Sequence, residues 1–239
     1  MAGYEKAMQE QKVKASASWK GSGEKEVAPF YKEFAQNSPP TEFDGYKSTE
    51  GEAKVLAILK DGAQVDSAKK GDSIEILVDR TPLYGESGGQ VGDSGNAFND
   101  GVQIELLDAI KPLPGLIVHK GQVTEGAVAT GDSLTLQIDK PTRQNTALNH
   151  SATHLLHAAL KEVLGEHVKQ AGSLVSPDRL RFDYTHFSPL AGKERRRVES
   201  LVNEKIRENI QVSTKEMEIE DALKDGAMAL FGEKYGDRV

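Results

Sequence analysis

Between residues 41 and 139 the chain alternates apolar and polar positions, or runs through short β-branched stretches, over 53–59, 73–78, 102–107, 116–118 and 133–138. Period two places successive side chains on opposite faces of an extended chain, so five strands are predicted. Turn signals separate them (Asp61-Gly62, Gly71-Asp72, Asp100-Gly101, Pro114-Gly115, Gly131-Asp132) at the spacing of a small barrel or sandwich. After Pro141 the period becomes helical: Leu148, Ala152, Leu155, Leu156, Ala159, Leu160 and Val163 fall on one predicted core face. Pro141 suits the start of that helix, Thr142 its cap and Gly165 its stop. Strands over 167–175 and 179–184, a charged helix over 190–209, a strand over 211–217 and a short helix from 219 complete this half. At the other end, 1–17 and 26–36 predict two short helices, the second from Val27, Phe30, Tyr31 and Phe34; Asn37-Ser38-Pro39-Pro40 breaks it. The fold class expected is α+β: an N-terminal helical segment (1–40), a small β-barrel (41–140) and an α+β core (141–239).

Composition narrows what such a chain does. Its 239 residues carry a net charge of −7, and 28% of them are charged. No apolar run approaches the ~18 residues of a membrane span, and the charged start does not suit a signal peptide. Membrane insertion and secretion are disfavoured. There is no cysteine, which excludes disulfides, thiol nucleophiles and Cys-liganded metal within this chain, so any metal falls to His, Asp or Glu. The acidic excess lies in residues 1–139; residues 140–239 are nearly balanced and are the better candidate for meeting a polyanion.

Three constellations carry candidate chemistry. His150, His154 and His157 lie within about 60° of one another on the helix, opposite its leucine face, and are expected to point into solvent or a cleft. Two histidines at i and i+4 direct both rings to one point, the geometry two ligands of a tetrahedral zinc require; a polar surface stripe fits the spacing equally well. Ser151 follows the first histidine where a zincin protease needs Glu. The second is the glycine-dense loop 81–95, either a backbone cradle for a ligand or a bulged hairpin; it lacks the Gly-Lys-Ser/Thr of a P-loop. The third is Lys193-Glu-Arg-Arg-Arg197 with Lys169, Arg179 and Arg181, either a solvated charged surface or a phosphate-facing patch. Gln170 and Gly172, on the strand after the histidine helix, line the same cleft or face solvent.

Five segments in this order, Arg80-Thr-Pro-Leu-Tyr-Gly-Glu-Ser-Gly-Gly-Gln-Val-Gly-Asp93, Asn149-His-Ser-Ala-Thr-His-Leu-Leu-His157, His167-Val-Lys-Gln-Ala-Gly-Ser-Leu-Val175, Leu180-Arg-Phe-Asp183 and Gly226-Ala-Met-Ala-Leu-Phe-Gly-Glu-Lys-Tyr-Gly236, closely resemble the editing region of the bacterial alanyl-tRNA synthetase family. The resemblance covers nearly the whole chain. It implies a cytoplasmic region that hydrolyses the ester joining a wrong serine or glycine to tRNA(Ala), within an enzyme that ligates alanine to that tRNA. It implies His150 and His154 as the first two zinc ligands, Thr153 and Gln170 as catalytic residues lining the pocket, and Gly88 and Gly89 facing the tRNA acceptor end. Gln90, Lys169 and Arg181 are implied as further substrate and tRNA contacts. The partners implied are the tRNA(Ala) acceptor end and the other domains of the parent synthetase, with no DNA and no membrane. The family has a second ligand pair, a Cys and a His in Cys-Gly-Gly-Thr-His, shortly after the motif ending at Gly236. That pair is expected beyond Val239, so weak zinc binding by this chain and a tRNA-binding fragment without hydrolysis are the alternative expectation. A free-standing editing protein is a further one.

Overall fold

The computed structural model describes residues 27–213, 215–227 and 237–239, and the chain divides into two compact units, residues 1–38 and 39–239. In the first, α1 (Pro29–Asn37) starts on a proline whose missing amide hydrogen costs nothing there. Phe30 and Phe34, one turn apart, stack with ring centroids 5.9 Å apart. The helix expected over 1–17 lies outside the described residues.

The second unit opens with ten strands: β1 (Glu42–Phe43), β2 (Glu50–Lys60), β3 (Ala63–Val65), β4 (Ser67–Lys69), β5 (Ser73–Val78), β6 (Arg80–Thr81), β7 (Gly95–Asn99), β8 (Val102–Leu113), β9 (Leu116–Ala129) and β10 (Ser133–Ile138). Six of them run in the antiparallel order β10-β7-β8-β9-β5-β2, and β10 pairs back onto β2 with Leu134 opposite Ala53. That pairing closes a barrel and removes the free edges a sheet of this size would otherwise expose. The β1–β6 pair stands apart and is parallel. Alternation decides the inside: Val102, Ile104 and Leu106 of β8 and Leu134, Leu136 and Ile138 of β10 are buried, while Gln103 and Glu105 face out.

One polar residue is sealed among them. His119 of β9 is fully buried; its Nδ1 lies 3.3 Å from the Ile76 carbonyl oxygen and its Nε2 2.8 Å from Thr81 Oγ1. A carbonyl only accepts, so Nδ1 carries the proton and Nε2 accepts from the Thr81 hydroxyl. Burial lowers the pKa of this ring from 6.5 to about 4 and keeps it neutral.

The strands over 73–78 and 133–138 agree with expectation to the residue; β9 does not, extending from 116 to 129 where the pattern marked only 116–118. Its second half, rich in Gly, Gln, Thr and Glu, has weak strand character alone, but β8 lies on one side and β5, then β4, on the other. Backbone pairing supplied from both sides outweighs the local composition.

The remainder comprises α2 (Lys140–Leu164), β11 (Gln170–Val175), β12 (Leu180–Tyr184), α3 (Gly192–Glu208) and α4 (Ile219–Lys224). Asp139, not Thr142, caps α2: its carboxylate accepts from the Thr142 amide at 3.1 Å and from the Thr142 hydroxyl at 2.8 Å. Gly165 ends the helix at φ +112°. Ala159 and Leu160 of α2, Val168, and Val198 and Leu201 of α3 form a small core, flanked by half-buried Leu156, Phe182 and Tyr184.

Two expectations need correction. His157, expected to point away from the core, is only 8% exposed and packs on Phe182 at 5.1 Å, whereas Leu148, expected in the core, is 61% exposed. Helix α2 is covered on two sides, and leucine periodicity reveals only the side that meets α3. No strand forms over the described residues of 211–217. Met217 instead exchanges backbone hydrogen bonds with Val239 at 2.8 and 2.9 Å, and Ile210 and Val212 are left exposed among the described residues.

Candidate functional site

The loop between β6 and β7 crosses from the barrel to α2 and β11, and its chemistry explains its path. Ser87 and Gln90 exchange backbone hydrogen bonds at 3.2 and 3.0 Å across Gly88 and Gly89, whose φ values are +59° and +81°. Two successive positive φ angles define a type I′ turn, which glycine enters without the Cβ clash of other residues. The turn docks on the end of β11: the Val175 amide donates to Gly89 O at 2.7 Å and the Val91 amide to Val175 O at 3.0 Å. A Cβ on Gly89 would sit 2.8 Å from Ser173 O, while one on Gly88 would meet open space. Gly89 therefore faces the protein's own backbone, and Gly88 alone leaves an uncovered approach.

A buried ion pair fixes where α2 leaves the barrel. Arg143, in the first turn of α2, donates through Nε to both carboxylate oxygens of Asp93 at 2.9 and 2.8 Å, and its Nη2 also reaches Asp93. Its Nη1 also donates to Gly45 O at 3.0 Å and its Nη2 to Pro82 O at 2.9 Å. Asp93 in turn accepts from the Tyr84 amide at 2.8 Å. A planar fork meeting a carboxylate and two carbonyls sets one orientation between helix and loop. Two turns further on, Asn149 Nδ2 donates to Ser176 O at 2.8 Å and ties α2 to the end of β11.

The histidines follow from that frame. His150 is half-buried, and its Nδ1 lies 2.6 Å from Oε1 of Gln90, itself only 8% exposed on the glycine turn. His154, one turn later, is exposed and stacks beside it, ring centroids 5.0 Å apart and planes 27° apart. Burial, and then the neighbouring His154, hold the His150 pKa below the ordinary histidine value. His157 is not part of this pair: its Nε2 is buried, with no hydrogen-bond partner among the described residues.

The other candidate residues divide between covered and exposed positions. Thr153 is buried, and its hydroxyl donates to Asn149 O at 2.8 Å, leaving it able only to accept from a ligand. Gln170 opens β11, half-buried and paired across from Tyr184, beside a bulge that leads to Gly172. Lys169 and Arg181 are exposed, and Arg181 Nε pairs with Asp183 at 3.1 Å along its own strand. Lys193, Arg195, Arg196 and Arg197 are exposed on α3, with Glu162 3.7 Å from Arg197. A groove lined by Ser94, Asn96, Glu105, Gln137 and Lys140 opens beside the start of α2, and none of the candidate residues lines it.

His150 and His154 fit two positions of a tetrahedral zinc by their i, i+4 spacing on one helix. Among the described residues no third His, Asp or Glu joins them within reach of one ion. No described helix is long and apolar enough to cross a membrane. Sequence reading missed Arg143 and Asn149. Asn149 and Asp93 both stood inside quoted motifs, but only the fold shows what they hold.

The family described as tRNA synthetases class II (A) matches residues 1–142, and the chain belongs to that family. Along its whole length it is 47% identical to the alanine–tRNA ligase of Mesorhizobium japonicum and 48% identical to that of Rhizobium johnstonii, covering 27% of each. Over 237 residues, 99% of the chain, it is 50% identical to the alanine–tRNA ligase of Anaeromyxobacter dehalogenans and covers 26% of that protein. The chain thus spans about a quarter of the length of the relatives it matches.

Proposed function

We propose that this region is the editing part of an alanine–tRNA ligase: it hydrolyses the ester linking a wrong serine or glycine to the terminal ribose of tRNA(Ala). The observation that carries the reading is the pair His150 and His154, one turn apart at the junction of the glycine turn, α2 and β11, in a chain related to alanine–tRNA ligases from end to end. The chemical need for such a step is general. A pocket shaped for alanine cannot strongly reject a smaller amino acid or one that only adds a hydroxyl, so a second, hydrolytic site supplies the missing discrimination.

Zinc, held by His150 and His154 with further ligands from outside the described residues, would supply Lewis acidity or a water of lowered pKa. The chain's own residues do the recognition. Thr153 accepts a hydrogen bond from the serine hydroxyl, Gln170 offers both donor and acceptor at the mouth of β11, and the open face of Gly88 admits the terminal ribose. Lys169 and Arg181 provide positive charge for the phosphates of the acceptor end.

In a full-length ligase carrying this region, His150→Ala and His154→Ala should each slow hydrolysis of seryl-tRNA(Ala) by ~100-fold or more, by loss of a metal ligand, while charging of tRNA with alanine is retained. Hydrolysis at the parent rate would overturn the reading. A second reading, tRNA binding without hydrolysis, is favoured by the exposed Lys193 and Arg195–Arg197 of α3. Weakened tRNA binding in the histidine variants, with no measurable deacylation in the parent, would select it.

A further inference from the structure

The Gln90–His150 hydrogen bond joins two regions that sequence reading kept apart. Gln90 is in the barrel's glycine turn, 60 residues before His150, and its side chain is almost fully buried. Its backbone has little freedom. Ser87 holds it on one side of the type I′ turn, and the bonds of Gly89 and Val91 to Val175 hold the turn on β11. Below, Arg143 and Asp93 fix the angle between that loop and α2. A glutamine so placed is poorly suited to reach a substrate, because its carbonyl oxygen is already 2.6 Å from an imidazole nitrogen. It is well suited to choose which nitrogen of that imidazole carries the proton.

We propose that Gln90 is a positioning residue for His150. Its Oε1 accepts the Nδ1 hydrogen, so the ring is held as the Nδ1–H tautomer, which leaves the Nε2 lone pair as the one that can bind a ligand. Ligating histidines generally donate their second N–H to an oxygen that fixes tautomer and ring plane. Here that oxygen comes from the barrel rather than from the helix. The barrel therefore supplies part of the site, and the glycine turn sets the ring plane of His150. Gln90 acts through His150 and makes no contact of its own with substrate. The consequence for metal binding rests on His150 and His154 being the ligand pair; the tautomer assignment rests on the geometry alone.

The test uses the whole 239-residue chain, first without metal. With ¹⁵N-labelled histidine, above the titration of His150, the wild-type spectrum should show Nδ1 protonated and Nε2 bare. Gln90→Leu should shift His150 towards the Nε2–H form, and Gln90→Glu, which keeps an acceptor oxygen in place, should restore the wild-type pattern. The buried His119 ring, remote in chemistry from the turn, reports in the same spectrum that the barrel is intact. Zinc added to the same samples should bind ~10-fold or more weaker to Gln90→Leu than to the wild type or Gln90→Glu. An Nε2–H tautomer in the wild type, or a His150 signal that Gln90→Leu leaves unchanged, overturns the proposal. If the tautomer follows residue 90 while zinc binds Gln90→Leu as tightly as the wild type, positioning stands and the ligand-pair reading falls.

Discussion

The barrel and the helix-and-hairpin region bury their cores to different depths. In the barrel, Val55, Ile58, Ile76, Leu134 and Leu136 are at most 1% exposed, and the pairing of β10 with β2 closes the six strands on themselves. Around α2, five apolar residues are buried and seven more, Leu156, Val163, Phe182, Tyr184 and Val202 among them, are only half covered. The imidazoles stand in the looser region and the residue that orients His150 stands on the tighter one. A closed barrel changes shape little, so a turn projecting from it holds one position while the helix beside it adjusts. Bonds that cross the junction are directional: Arg143 to Asp93, Gln90 to His150, Val175 to Gly89 and Val91.

The largest effect should come from cutting that junction. Arg143→Ala leaves the Asp93 carboxylate, 5% exposed, without its guanidinium and strips two carbonyls of their donors. Breaking one partner of a buried pair costs about 3–5 kcal/mol, measurable by urea denaturation. Arg143→Lys should recover less than half, since an ammonium cannot make the planar fork. A loss below about 1 kcal/mol would show that the two regions are held together by other means.

Acid should separate the regions next. Folded, His119 is neutral with a pKa of about 4; unfolded, it takes a proton below about 6.5. The unfolded state thus binds more protons between those values. The stabilisation is complete above pH 6.5, declines on acidification and is exhausted near pH 4. At about 1.4 kcal/mol per pKa unit the barrel loses about 3 kcal/mol from this residue. Denaturation curves at pH 7, 5.5 and 4.5 should show that slope, and His119→Gln should flatten it. An unchanged slope in the variant would assign the acid sensitivity to other groups.

The two regions also differ in how much of them a reader of the sequence can see. Strict alternation made β5 and β10 legible, because burial of one face is written in every second residue. The far half of β9 was hidden, since its pairing is donated by neighbours up to 62 residues away in sequence, as where Ser67 faces Ala129. In the candidate site, His150 and His154 were legible from helical spacing, and the glycine turn from its composition. The second covered side of α2 was not, because Thr146, Thr153 and His157 fill it and none of them reads as apolar. Nor was the bond from Gln90, which depends on where a loop 60 residues upstream comes to rest.

A smaller effect tests recognition within the looser region. The Thr153 hydroxyl already donates to Asn149 O, so it serves a substrate only as an acceptor. Thr153→Val in the full-length ligase should lower hydrolysis of seryl-tRNA(Ala) about 5- to 10-fold more than that of glycyl-tRNA(Ala), the worth of one hydrogen bond at about 1–1.5 kcal/mol. Thr153→Ser should restore the ratio. Equal losses on both substrates would transfer hydroxyl recognition to Gln170.

Whether barrel and helix make one site is most directly measured by a double-mutant cycle between Gln90 and His150 on seryl-tRNA(Ala) hydrolysis in the full-length ligase. If Gln90 acts through His150, the double variant Gln90→Leu with His150→Ala is no slower than His150→Ala alone. Losses that multiply would show that Gln90 works independently of His150, and would contradict a site shared between the two regions.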